Sequence, residues 1–199
     1  MKRLLVAALL ALLPLVALAD QFREVHLSED RTRLVITKSD GHQFEAPRYA
    51  EQVEFEEPRI SPDGNHVGWL AVYPNCCTSY PIPLGVVVLD RERRLHSFGT
   101  ELAVFAWCFV PNSTSVAYRQ AVLHGSDHRH FERRNIPDGR LLNVYDSPHG
   151  EIKDIRGRKN LPSWVRACQV GPSCCLRISA SNGAPPSACA CVRAVGAER

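Results

Sequence analysis

A chain of 199 residues with a formal net charge of +3 is long enough for one domain. That charge is too small to argue for nucleic acid as a partner. Only the N-terminal apolar run is long enough to raise the question of a membrane span.

Met1-Lys2-Arg3, the apolar run from Leu4 to Ala19 and the small residues Ala17-Leu18-Ala19 are the parts of a secretory signal peptide, cut after Ala19. An uncleaved anchor is the rival reading, but the run falls short of the roughly 20 residues of a spanning helix. Asp20 follows the cut, where a lipid-anchored protein would have Cys. Losing Lys2 and Arg3 lowers the net charge from +3 by two, to +1. The expected product is periplasmic or secreted, with no membrane span after cleavage. Its 8 cysteines would then meet an oxidising compartment that permits disulfides.

After the signal, Gln21 to Asp30 is polar and mixed. Arg33 to Thr37 is a β-branched strand candidate. Lys38-Ser39-Asp40-Gly41 is a turn, with His42 to Glu45 as a returning strand. Glu51 to Glu57 is an acidic connector in which Val53 and Phe55 alternate, a pattern that allows a short strand. Ser61-Pro62-Asp63-Gly64 fits a type I turn, with Ser first, Pro second and Gly fourth. Beyond it Val67, Trp69, Ala71 and Tyr73 alternate, the period of a half-buried strand. Asn75 to Pro83 is a proline-stiffened loop. Gly85 to Asp90 is a short buried strand, and Arg91 to Arg94 a charged turn.

The same unit then recurs. Val104 to Val110 is apolar, Pro111-Asn112-Ser113 takes the place of Pro62-Asp63-Gly64, and Val116, Tyr118 and Gln120 alternate. A loop from His124 to His130 follows, then turn chemistry at Pro137-Asp138-Gly139. Leu141 to Asp146 is read as the counterpart of Val86 to Asp90. After Lys159 the chain becomes rich in Ala, Ser, Pro and Cys, and no window carries a strand or helix period. The expected organisation is a signal at 1–19, a β-repeat domain at 20–158 and a disordered or loosely ordered tail at 159–199. That tail is either a disulfide-stapled appendage or an altered end where a further blade has been lost.

Strand-only repeats of this length point to propeller blades. The Ile60-Ser61-Pro62-Asp63-Gly64 stretch with Val67 and Trp69 resembles the TolB-like, WD-type β-propeller repeat of exported bacterial proteins. Phe109 to Ser113 with Val116 and Tyr118 resembles it more loosely. The resemblance covers Leu34 to Asp146 and implies an all-β fold of antiparallel propeller-like blades. A closed propeller typically has 4–8 blades, and this chain has room for about three. The alternatives are an open arc, an assembly, or a small β-sandwich.

Among polar clusters, His124, His128 and His130 are the metal candidates, because imidazoles two apart on a strand face one side. The competing reading is a solvated loop. Cys76, Cys77 and Cys108 are disulfide candidates, with Cys108 a possible mate for one of the adjacent pair. No nucleophile elbow, zinc-protease helix motif or phosphate loop is present, so no catalytic residue and no cofactor is assigned. Trp69, Trp107 and Phe109 are read as packing, and Arg129 to Arg134 as a solvated basic patch. The expected role is an exported, non-enzymatic binding or scaffold module whose partner is another periplasmic or envelope protein. The alternative is a metal-dependent hydrolase, or an accessory domain of one, using the His124–His130 loop.

Overall fold

A computed structural model describes residues 20–75, 80–99, 102–123, 129–147 and 161–169. Among the described residues, eleven strands form three antiparallel sheets. The first sheet is β1 (Phe22–Leu27), β2 (Leu34–Lys38) and β3 (Gln43–Glu45). The second is β4 (Glu54–Ile60), β5 (His66–Tyr73), β6 (Ile82–Asp90) and β7 (Leu95–Phe98). The third is β8 (Ala103–Phe109), β9 (Ser115–Ala121), β10 (Arg129–Asn135) and β11 (Leu141–Ser147). Each sheet is a meander in which every strand pairs with its neighbours in sequence.

The turn chemistry accounts for the meanders. Gly64 donates its backbone N–H to the Ser61 carbonyl at 2.9 Å, closing the turn read from the sequence, and sits at φ 71°. Ser61 Oγ donates to Asp63 Oδ1 at 2.6 Å and accepts the His66 N–H at 2.9 Å. Asp63 Oδ1 also accepts the Asn65 N–H at 3.1 Å. In the third sheet Ser113 N–H donates to the Val110 carbonyl at 2.8 Å, with Ser113 at φ 57°. The two turns touch, since Asp63 N–H donates to Ser113 Oγ at 3.3 Å.

The sheets pack face to face in sequence order. Phe22, Leu34, Ile36, Phe55, Val67, Trp69, Val87 and Leu89 bury together between the first and second. Leu70, Val86, Val88, Phe98, Trp107, Phe109, Val116 and Tyr118 bury together between the second and third. β5 is therefore buried on both faces rather than half-buried, because it is a middle strand of the middle sheet. Each such side chain taken from water stabilises the fold by about 1.5–3 kcal/mol. Three sheets stacked in succession make a run of propeller-like blades, with no closed barrel among the described residues.

The two outer faces differ. On the first sheet Glu24, His26, Gln43 and Glu45 face outward and are exposed. An apolar part of the far face of the third sheet packs against a helix, α1 (Ser163–Gln169). Leu161, Trp164, Val165 and Cys168 lie against Cys108, Val110, Ala117 and Phe131 there. A Cys108–Cys168 disulfide, with Cα atoms 5.2 Å apart, ties the helix to β8.

Several expectations change. Gln21 to Asp30 holds β1, and the short strand open to the Glu51 to Glu57 connector forms as β4 and runs on to Ile60. Pro58 is tolerated because β4 is an edge strand bulged between Glu56 and Arg59. Leu141 to Asp146 is not the counterpart of Val86 to Asp90. It lies in the fourth strand of its sheet, and the counterpart of β6 is β10. The turns agree: Asp90 N–H bonds the Arg94 carbonyl at 3.1 Å, and Asn135 N–H bonds the Arg140 carbonyl at 2.9 Å. A short helix stands within 161–169, where no helix period was read.

Candidate functional site

β7 spans four residues, whereas β10 and β11 span seven each. The second sheet therefore stops short of the third at this corner and leaves a cleft of about 530 Å³. Its lining includes Ser97, Phe98, Gly99, Tyr118, Gln120, His130, Glu132, Arg134 and Asp146. The register explains why these side chains meet. His130 pairs with Gln120 and Asp146, and Glu132 pairs with Tyr118, so strand alternation puts them on one face.

The ionisable groups form one connected network. His130 Nδ1 lies 2.7 Å from Asp146 Oδ1, and His130 Nε2 lies 3.1 Å from Glu132 Oε1. Tyr118 donates its hydroxyl to Glu132 Oε2 at 2.5 Å. Arg134 Nε donates to Glu132 Oε2 at 2.7 Å and to the Tyr118 oxygen at 3.0 Å. Arg134 Nη1 donates to the Gly139 carbonyl at 3.1 Å.

Burial alone would favour neutral His130, but its bonds to Asp146 and Glu132 outweigh burial and raise its pKa. Burial likewise pushes the Glu132 carboxyl upward. The donors Arg134, Tyr118 and His130 overcome that and hold it below its usual value. Burial, then the bond to Glu132, drives the Tyr118 phenol well above its ordinary value. Asp146, His130, Glu132, Arg134 and the Tyr118 phenol thus form one chain of hydrogen bonds and ion pairs in which each side chain is engaged with another.

Of the sequence candidates, Cys108 is in a disulfide, and its mate is Cys168 rather than Cys76 or Cys77. Cys76 and Cys77 lie outside the described residues, as do His124 and His128. His130 is described, and it stands in a strand with both ring nitrogens bonded to carboxylates. Among the described residues no three His, Cys, Asp or Glu side chains are grouped to hold a metal. Trp69 and Trp107 are fully buried packing residues. Arg134, read as part of a solvated patch, points into the cleft. Glu132, Tyr118, Gln120 and Asp146 were not singled out. The signal that could have found them is the alternation of His130, Glu132 and Arg134 on one strand.

No family model matches the chain, and no curated protein sequence matches it. Solved structures similar to parts of it include an ancestral GH74 enzyme, with 12% identity, a TM-score of 0.36 and 63% of this chain against 19% of that one. Tricorn protease is similar over 65% of this chain and 16% of its own, with 11% identity and a TM-score of 0.39. The WD40 domain of SCAP from fission yeast is similar over 64% and 32%, with 11% identity and a TM-score of 0.25. The chain spans less than a third of the length of each. Likenesses this distant carry no argument about activity, and the propeller-like description rests on the sheets themselves.

Proposed function

We propose that the protein is an exported, non-enzymatic binding module built from propeller-like repeats, with the cleft between the second and third sheets as its binding surface. One observation carries this reading: every ionisable side chain named in the cleft is engaged with another. A preorganised but chemically quiet surface suits recognition better than turnover. Leu141 and Val144 on β11 are 43% and 45% exposed and extend the rim with apolar surface. The Cys108–Cys168 disulfide fits an oxidising compartment. The partner expected on this reading is another periplasmic or envelope protein.

The metal-dependent hydrolase reading requires His130 to give a ring nitrogen to a cation, and both are committed to carboxylates. Metal analysis of the purified protein separates the two readings. The binding reading expects no stoichiometric metal, and retention of an envelope partner that Val144→Asp weakens. A tight stoichiometric metal that is lost on His128→Ala would overturn it.

A further inference from the structure

Arg119 and Arg129 stand together on the face of the third sheet turned away from the cleft. Their sequence neighbours Tyr118, Gln120 and His130 line the cleft, so strand alternation sends both arginines to the other side. The register sets Phe131 opposite Arg119, which makes Arg129 its diagonal neighbour on the adjoining strand, within reach of a long side chain. On the same face Ala117 packs against Cys168, and Phe131 against Leu161 and Val165. Arg119 and Arg129 are half-buried beside that apolar part. Among the described residues neither guanidinium has a hydrogen bond or an ion pair, and Arg119 Nε is buried without a partner. Arg133, further along this face, donates to Ser115 Oγ at 3.0 Å. The strands of this sheet carry two carboxylates, Glu132 and Asp146, and both are on the cleft face, bonded to Arg134 and His130. Phe105, 42% exposed on β8, places its ring centre 5.5 Å from Arg119 Cζ.

We infer that Arg119 and Arg129 form a binding site for an oxyanion, a carboxylate or phosphate group held between the two guanidinium groups. Two cations side by side in partly dry surroundings repel each other, and among the described residues no acid on this face offsets them. Burial, and then the Arg129 charge, lower the Arg119 pKa, the direction expected of a cation without a counter-ion. A bound anion removes the repulsion and supplies the acceptor that Arg119 Nε lacks. The planar guanidinium presents paired N–H donors that match two oxygens of a carboxylate or phosphate. The Phe105 ring supports the Arg119 guanidinium from one side, so less freedom is lost when the anion is bound. This site lies across the sheet from the cleft, and its failure leaves the binding-module reading untouched.

NMR titration of the full chain with sodium phosphate and with sodium acetate, at constant ionic strength, tests this through the Nε–H resonance of Arg119. The expected result is a saturable shift of that resonance at about millimolar anion. Affinity should fall about tenfold in Arg129→Gln and also in Arg119→Lys, which keeps the charge and loses the fork. Arg166→Gln, exposed on α1, should leave affinity unchanged, and the amide spectrum of each variant reports that it is folded. Tighter phosphate assigns the ligand to phosphoryl groups and tighter acetate to carboxylates, and both support the inference. Absence of a saturable shift with either anion in the wild-type protein overturns it. Equal weakening by Arg129→Gln and Arg166→Gln overturns it as well, because the attraction would then belong to a diffuse basic surface.

Discussion

Gly68 shows at the scale of one residue how closely the second and third sheets approach. A Cβ there would stand 2.6 Å from Trp107 Cη2 and 2.9 Å from its Cζ3. The indole lies on the glycine, and its Nε1 donates to the Glu57 carbonyl at 3.2 Å, in the bulge of β4. A ring wedged this way cannot swing aside cheaply. Gly68→Ala should therefore cost about 1–3 kcal/mol of stability, read by urea denaturation. A neutral substitution would mean the sheets are further apart. His130 carries a second prediction at this scale. Despite burial, its bonds to Asp146 and Glu132 raise its pKa above the ordinary 6.5. A raised folded-state value contributes stability that is full at low pH and is lost as pH climbs through it. His130→Gln should thus destabilise more at about pH 5 than at about pH 8. His66, whose pKa burial lowers, has the opposite slope, so the comparison must be wild type against variant at each pH.

Among elements, the turns show what could be read in advance. Ser61 to Gly64 is legible because Pro and Gly each stand where the backbone asks for them. An equivalent turn at Ser28 to Arg33 escaped notice. Ser28 Oγ donates to Asp30 Oδ1 at 2.6 Å and accepts the Arg33 N–H at 3.0 Å, the pattern of Ser61, Asp63 and His66. There Glu29 replaces the proline, and Arg31 takes the glycine's place at φ 58°. Asp30 is the residue common to both, its carboxyl lowered to about 2 by Ser28 first and then Thr32. β10 was missed for another reason. In Arg129–Asn135 only Phe131 is apolar, because the opposite face lines a polar cleft instead of a core. The helix α1 has an apolar stripe of Trp164, Val165 and Cys168, but seven residues are too few for periodicity to show. Its disulfide closes a separation of 60 residues, and Cys168→Ser should lower the unfolding free energy by about 2–4 kcal/mol. It should also increase binding of an apolar dye to the bared face of the third sheet. Unchanged stability in the oxidised and reduced protein would show that the disulfide adds nothing.

For the whole molecule, the stacking of sheets was visible in outline and its ends were not. Two copies of a turn-and-strand unit were enough to expect blades packed on one another. What closes the stack is harder to see. The first sheet is finished by exposed polar residues, and the third by a helix crossing the face where another blade would otherwise pack. The cleft belongs to this scale too, since it arises from unequal strand lengths in adjoining sheets. All of it depends on the second and third sheets meeting face to face. The direct measurement is a nuclear Overhauser cross-peak between the Gly68 α-protons and the far ring protons of the Trp107 indole. Face-to-face packing predicts a strong cross-peak, because those groups are in contact. If the assigned resonances of both residues show none, the two sheets do not meet as described, and the cleft between them does not exist.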